Sequence, residues 1–240
     1  MFGRIAPRYD LLNRLLSLSL DRSWRRRAAR ELNAAEGERI LDLCCGTGDL
    51  AIEIARGGRA GLVVGCDFSH PMLVRAGSKL RRRKPGARWA LAEADGLRLP
   101  FAPETFEGAG VAFGVRNFQD LDLGLREILR VLRPGGRLVV LEFSRPRSGA
   151  FARLYGVYLN RILPRLGDGV SGNRGPYGYL ARTIGGFPDA ASLAGRIREA
   201  GFAAVGWLPL TGGIVAVHTA RKAGAAASAA GRRGAATASR

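Results

Sequence analysis

The chain has 240 residues, 47% hydrophobic and 24% charged, which excludes a disordered polymer and suits one large domain better than two with thin cores. No apolar run approaches the roughly 20 residues of a spanning helix, and Met1-Phe2-Gly3-Arg4 opens without the apolar stretch of a signal peptide, so a cytoplasmic protein is expected. The net charge of +18 leaves nucleic acid, an anionic membrane surface or plain arginine usage open as its cause.

From Tyr9 to about Leu32, a run of leucines precedes the basic segment Trp24-Arg25-Arg26-Arg27, which predicts one or two amphipathic helices capping the core over residues 1–35. A short buried strand follows, Arg39 to Cys45. It breaks at Gly46-Thr47-Gly48 and leads into a helix with Leu50, Ala51, Ile54 and Ala55 on one face. A second strand, Gly61 to Cys66, ends at Asp67, and Ser69-His70-Pro71 starts the next helix. Its end carries the basic run Arg81-Arg82-Arg83-Lys84. Strands over Ala87 to Ala92 and Phe106 to Ala112 come next, then a helix from Asp122 to Leu132. Pro134-Gly135-Gly136 turns the chain into a fifth strand, Arg137 to Glu142. This alternation predicts an α/β fold, a doubly wound, mostly parallel Rossmann-like sheet filling residues 36–220.

After Pro146 the pattern becomes helical, with Phe151, Leu154, Tyr158, Ile162 and Leu166 apolar and arginines among them. Residues from Ala150 to Gly186 read as an insertion over the site. A helix from Asp189 to Ala200 stops at Gly201, and two closing strands are expected over Ala203 to Trp207 and Gly213 to Thr219. Residues 221–240 carry Arg221, Lys222, Arg232, Arg233 and Arg240 without an acid or a period, and read as a disordered basic tail. Cys44, Cys45 and Cys66 lie in or beside apolar strands and are expected to be buried, unpaired hydrophobes. His70 and His218 lack partners at ligand spacing, so no metal is expected.

Gly46-Thr47-Gly48-Asp49-Leu50-Ala51 matches the G-x-G-x-x-A turn of nucleotide sites, and Asp67 follows about 20 residues later, where a ribose-binding acid belongs. Alone, this supports a nicotinamide enzyme nearly as well as one using S-adenosylmethionine. Asp42, on the strand before the turn, separates the two. A carboxylate there would repel a pyrophosphate by roughly 1 kcal/mol or more, whereas S-adenosylmethionine presents a sulfonium and an ammonium. Asp49 adds to this, although either acid could simply cap the turn. Asp95, followed by Gly96, stands where methyltransferases hold the adenine amino group, though on its own it would be an ordinary loop carboxylate. The expected cofactor set is therefore Asp42, Gly46, Thr47, Gly48, Asp67, Asp95 and Gly96.

Three segments narrow the reading. Tyr9-Asp10-Leu11-Leu12-Asn13 through Ser17, Asp21 and Trp24 is one. Arg130-Val131-Leu132-Arg133-Pro134-Gly135-Gly136 running to Leu141-Glu142-Phe143-Ser144 is another, and Tyr177-Gly178-Tyr179-Leu180 to Phe187-Pro188 is the third. In this order they resemble the C-methyltransferase family of menaquinone and ubiquinone biosynthesis. The chain departs from that pattern at Asp21, where the family has His, at Arg133 for Lys, at Cys44 for the first Gly, and at Ala112, often a cofactor-contacting Ser.

The resemblance implies a class I methyltransferase fold with a seven-stranded sheet and S-adenosylmethionine as cofactor. It also implies that Arg116 and Asn117, with Tyr9 from the cap, surround the reacting ring. The implied reaction is C-methylation of a prenylated hydroquinone, demethylmenaquinol to menaquinol ahead of the ubiquinone-pathway benzoquinol or another small phenol. Such a lipophilic substrate implies transient contact with a membrane surface, for which the Leu-rich N-terminal helix with Trp24 and the Phe151 to Leu166 segment are candidates beside plain core packing. A basic nucleic-acid binder or RNA methyltransferase is the rival of another class, disfavoured because no aromatic stacking cluster accompanies the basic run. Oligomeric state stays open, a homodimer included.

Overall fold

Strands whose side chains are buried on both faces build a seven-stranded sheet in the computed structural model, which describes residues 17, 19–57, 59–84, 86–146, 149–157 and 183–224. The strands are β1 (Arg39–Leu43), β2 (Leu62–Asp67), β3 (Arg88–Glu93), β4 (Phe106–Ala112), β5 (Leu132–Phe143), β6 (Phe202–Leu210) and β7 (Val215–Lys222). Their order is β3-β2-β1-β4-β5-β7-β6, parallel up to β5, with β7 antiparallel to both β5 and β6. The expected doubly wound sheet is thus present. Its order reverses between β1 and β4, the switch point outside which open α/β sheets bind ligands.

Helices cover both faces. On one side lie α1 (Leu20–Leu32) and α2 (Asp49–Arg56), with α3 (His70–Arg83) beside α2. On the other lie α4 (Leu121–Val131) and α6 (Ala190–Glu199), while α5 (Gly149–Val157) opens the expected insertion. The alternation of each strand divides its side chains between the two layers. Ile40 and Val63 join Trp24, Ala28, Leu50 and Ile54, whereas Leu41 and Val64 join Leu125, Ile128 and Ile197.

In α1, Asp21, Trp24, Arg25, Ala28 and Leu32 share the inward face. Trp24 is 4% exposed, and its indole Nε1 donates to Thr211 Oγ1 at 2.8 Å, so it pins α1 to the loop between β6 and β7. It is therefore no membrane-interface anchor, because its polar handle is spent inside the fold. The cap ahead of Ser17 and residues 158–182 lie outside the described residues.

Two expected boundaries move. Pro134-Gly135-Gly136 does not turn the chain into a new strand but bulges within β5, because Leu132 already pairs with Phe106 and the ladder resumes with Arg137 opposite Gly108. Arg221 and Lys222 belong to β7, not to a tail. Arg221 pairs with Arg137 along the ladder, and Lys222 Nζ donates to the Leu132 carbonyl at 2.7 Å. Residues 225–240 lie outside the described part.

Candidate cofactor and active site

β1 ends at Leu43 because Cys44 takes a left-handed conformation (φ 55°), and the Cys45 N–H then donates to the Cys66 carbonyl at 2.9 Å, tying the turn to the end of β2. Gly46 and Gly48 also have positive φ, 55° and 81°. A Cβ on Gly48 would come within 3.3 Å of Ala76 Cβ, so this glycine lets α2 approach α3 closely. Lys79 from α3 reaches back and donates to Thr47 Oγ1 at 2.9 Å and to Asp49 Oδ1 at 2.8 Å. Asp49 is thus an ion-pair partner of Lys79, which weakens its part in receiving a cationic ligand.

Asp42 takes the capping role the sequence allowed, with one oxygen to spare. Its Oδ2 accepts the Ala51 N–H at 2.8 Å and so caps α2, which begins after Gly48 without a side-chain cap of its own. Its Oδ1 is buried and, among the described residues, has no hydrogen-bond partner. Full burial pushes the Asp42 carboxyl up to about 8, against the Ala51 N–H and the nearby Arg25 charge, which pull it down. Arg25, Asp42, Cys44, Cys45, Gly46, Thr47, Asp49, Leu50 and Ala112 line a pocket at this spot. An orphaned carboxylate oxygen in such a pocket fits an ammonium group.

Asp67 and Asp95 stand at the ends of the next two strands along the same edge. Asp67 accepts the Gly46 N–H on Oδ2 at 2.8 Å and the Ser69 N–H on Oδ1 at 2.9 Å, while burial raises its pKa. Asp95 is exposed and accepts the Leu97 N–H at 2.9 Å. Neither lines the pocket around Asp42, but Asp67 is bonded to Gly46, which does, so the structure gathers Asp42, Gly46, Thr47 and Asp67 at the turn and leaves Asp95 farther along the rim. Gly96 lies against Phe118: an added Cβ would sit 2.8 Å from the Phe118 ring. On the ring's other side, a Cβ on Gly124 would come within 2.4 Å. Two glycines thus admit an aromatic ring between the β3 loop and α4.

The loop after β4 crosses to the same edge. A Cβ on Gly114 would meet Cys44 Cβ at 2.5 Å, so the β1 and β4 loops touch where the strand order reverses. The 3-10 turn Val115–Asn117 then carries Arg116 and Asn117. Arg116 Nη1 donates to Glu142 Oε1 at 2.8 Å and to the Phe113 carbonyl at 2.6 Å, its guanidinium lies 5.3 Å from the Phe143 ring centre, and Nε is buried without a partner. Burial raises Glu142, and Arg116 draws it back down. Tyr9 lies outside the described residues.

Sequence reasoning missed Glu142 and Arg25. Glu142 looked like the last residue of an apolar strand. An acid inside such a strand, with an arginine one strand away, was the available signal. Arg25 looked like part of a solvated run. Its spacing from Asp21 is one helical turn, and the two pair at 2.6 Å, both buried, with Arg25 5.2 Å from the Phe113 ring centre. The position where the related family has His therefore holds the acid that neutralises Arg25.

A cleft with the buried Asp42 carboxylate, one oxygen of which is unpartnered among the described residues, and with Asp67 and Asp95 along its rim suits an adenosine ligand bearing positive charge, and disfavours a diphosphate. Comparison with known proteins agrees. The ubiE/COQ5 methyltransferase family matches residues 1–222. A demethylmenaquinone methyltransferase of Thermus thermophilus is 48% identical over 218 residues, covering 91% of this chain and 98% of that protein. One of Deinococcus radiodurans is 48% identical over 205 residues, 84% of this chain and 83% of its own length. Among solved structures, a SAM dependent methyltransferase from Aquifex aeolicus superposes with a TM-score of 0.60 at 16% identity, over 82% of this chain and 88% of its own, a likeness of fold.

Proposed function

Because the chain belongs to the ubiE/COQ5 methyltransferase family, we propose that it methylates a ring carbon of a prenylated hydroquinone, converting demethylmenaquinol to menaquinol with S-adenosylmethionine as donor. The observation that carries the cofactor half of this reading is Asp42 Oδ1, buried and unpartnered beside the glycine turn. The quinol half is supported by relatives named for that activity, which align along most of the chain. The ubiquinone-pathway benzoquinol and RNA are not favoured.

When bound, the cofactor supplies an electrophilic methyl group on a sulfonium. Asp42 would hold its ammonium, Asp67 its ribose hydroxyls, and Asp95 with Gly96 its adenine, while Gly46 and Thr47 shape the turn against it. Asp67 would have to exchange its present bond to the Gly46 N–H for the ribose.

The acceptor ring becomes a carbon nucleophile once a phenol with a pKa of about 10 loses its proton, so a cation near the phenolate is the first requirement. Arg116 and Asn117 are the groups assigned to the phenol oxygens, with Tyr9 from the cap. Glu142 holds Arg116 from beneath and fixes its plane. Phe113 and Phe143, which pack on each other at 4.7 Å between ring centres, make that side of the site apolar, which strengthens an arginine–phenolate interaction by keeping water out. In-line transfer then depends on holding the ring carbon against the methyl group. The test is to incubate purified protein with labelled cofactor and each reduced quinone precursor. Label is expected on demethylmenaquinol; label on the benzoquinol alone, or on RNA, would overturn the assignment.

A further inference from the structure

We infer that the face formed by α1, α2 and α3 is the surface by which the protein docks on anionic phospholipid. Two adjoining grooves run along it. Arg22, Arg26, Arg56, Arg82 and Arg83 stand around the first, and the second shares Arg26, Glu53 and Arg56 with it and adds Arg30 and Arg59. Together their walls carry nine basic side chains against the three acids Asp21, Asp49 and Glu53, an excess of six.

Those acids are already engaged. Asp21 pairs with Arg25, Asp49 with Lys79, and Glu53 with Arg56 at 2.9 Å and Arg26 at 3.9 Å. Among the described residues, no acid or carbonyl is bonded to the exposed side chains of Arg22, Arg82 and Arg83. Their charge is therefore available to an outside partner. The opposite layer differs: there Arg196 is closed by Asp122 through two bonds of 2.6 Å, and Arg130 by Glu127.

The partner's chemistry follows from what the grooves lack and where they lie. Among the described residues neither is lined by an aromatic side chain, so bases would find nothing there to stack on, whereas lipid phosphates need only guanidinium groups at the end of flexible stems. Arg25 and Asp49 line both the first groove and the pocket around Asp42, so a bilayer held on this face lies beside the cofactor cleft. This inference rests on the proposed prenylated quinol, whose tail keeps it in a bilayer. The contact is electrostatic and reversible, since each arginine at an anionic surface contributes a factor of roughly five in affinity.

The test uses the full chain and vesicles of phosphatidylcholine with about one third phosphatidylglycerol at low salt. The triple variant Arg22→Gln, Arg82→Gln and Arg83→Gln is compared with a control of equal charge, Arg126→Gln, Arg198→Gln and Arg221→Gln. The first triple is expected to weaken vesicle binding at least about tenfold, and the control by less than about threefold. Methylation of a tail-less quinol in solution is expected to stay unchanged in both. Equal loss in both triples would reduce the effect to net charge and overturn the assignment, as would unchanged vesicle binding in the first. Selective loss of RNA binding in the first triple, with vesicles never bound, would assign the face to nucleic acid instead. Failure of the unaltered protein to methylate any quinol would sink the substrate reading, while the vesicle titration decides the docking face separately.

Discussion

Arg116 and Glu142 form an ion pair of 2.8 Å in which the arginine side chain is 6% exposed and the glutamate fully buried, so the residue assigned to the substrate's oxygens is also, among the described residues, the one counter-charge within bonding distance of that carboxylate. Arg116→Ala would strip the buried Glu142 of this counter-charge, leaving it the Phe143 N–H, at a cost of about 3–5 kcal/mol in stability. The neutral pair Arg116→Met with Glu142→Leu should recover most of that stability, because two apolar side chains of similar volume replace both charges. Turnover of the pair is expected to remain at least about a hundredfold down, since a missing charge-stabilising donor typically costs that much. Denaturant melts and single-turnover rates on both variants check it; recovered turnover in the pair would leave Arg116 with a structural part alone.

Asp42→Asn keeps an oxygen for the Ala51 N–H while removing the charge. Binding of S-adenosylhomocysteine, which carries the same ammonium, should weaken about tenfold to a hundredfold, the range for a hydrogen bond to a charged group. Isothermal titration measures it, and an unchanged affinity would place the ammonium elsewhere.

The same carboxyl makes stability depend on pH. Its folded pKa, pushed up to about 8, exceeds the ordinary value of 3.8, so between those values the folded state holds a proton that the unfolded state has released. The contribution of Asp42 therefore favours the fold at low pH and is lost as pH rises toward 8. In the ligand-free protein, the melting temperature of the unaltered chain should fall relative to Asp42→Asn between about pH 6 and about pH 8.5. A constant difference across that range would refute the shift.

Gly124→Ala sets helix propensity against packing. Alanine inside α4 would gain up to about 1 kcal/mol, but its Cβ would meet the Phe118 ring at 2.4 Å while Gly96 closes the other side. Overpacking of this kind costs about 1–3 kcal/mol, so net destabilisation is expected, relieved by adding Phe118→Leu. Thermal melts of the single and double variants decide it.

All three thiols are raised by burial, Cys66 to about 12. Little thiolate then exists at neutral pH, and alkylation by iodoacetamide should be slow in the folded protein and fast in denaturant. Mass spectrometry after brief exposure reads this out; rapid labelling of Cys66, fully buried in β2, in the native state would contradict the burial.

The order of strands and helices was legible because each element buries a run of defined period: Ile40 and Leu41 inside one strand, Leu50 and Ile54 on one helix face. The positions of Asp42, Asp67 and Asp95 were legible for a related reason, since Asp42 and Asp67 lie in the last two residues of β1 and β2 and Asp95 two residues past β3, so all three stand near the carboxyl edge of the sheet. The bulge at Pro134 was not. Local turn chemistry signals a break in the strand, while only the pairing of Leu132 with Phe106 shows that the ladder continues.

Local residue patterns by themselves determined the wound sheet and the glycine turn, because periodicity and turn chemistry act between residues a few positions apart. Tertiary structure decided that Glu142 lies beneath Arg116, that Arg25 turns inward to Asp21 beside Asp42, and that Trp24 is consumed by Thr211. Such relationships join residues up to 187 positions apart. Their energy comes from desolvation and geometry, which exist only once the chain has closed around them.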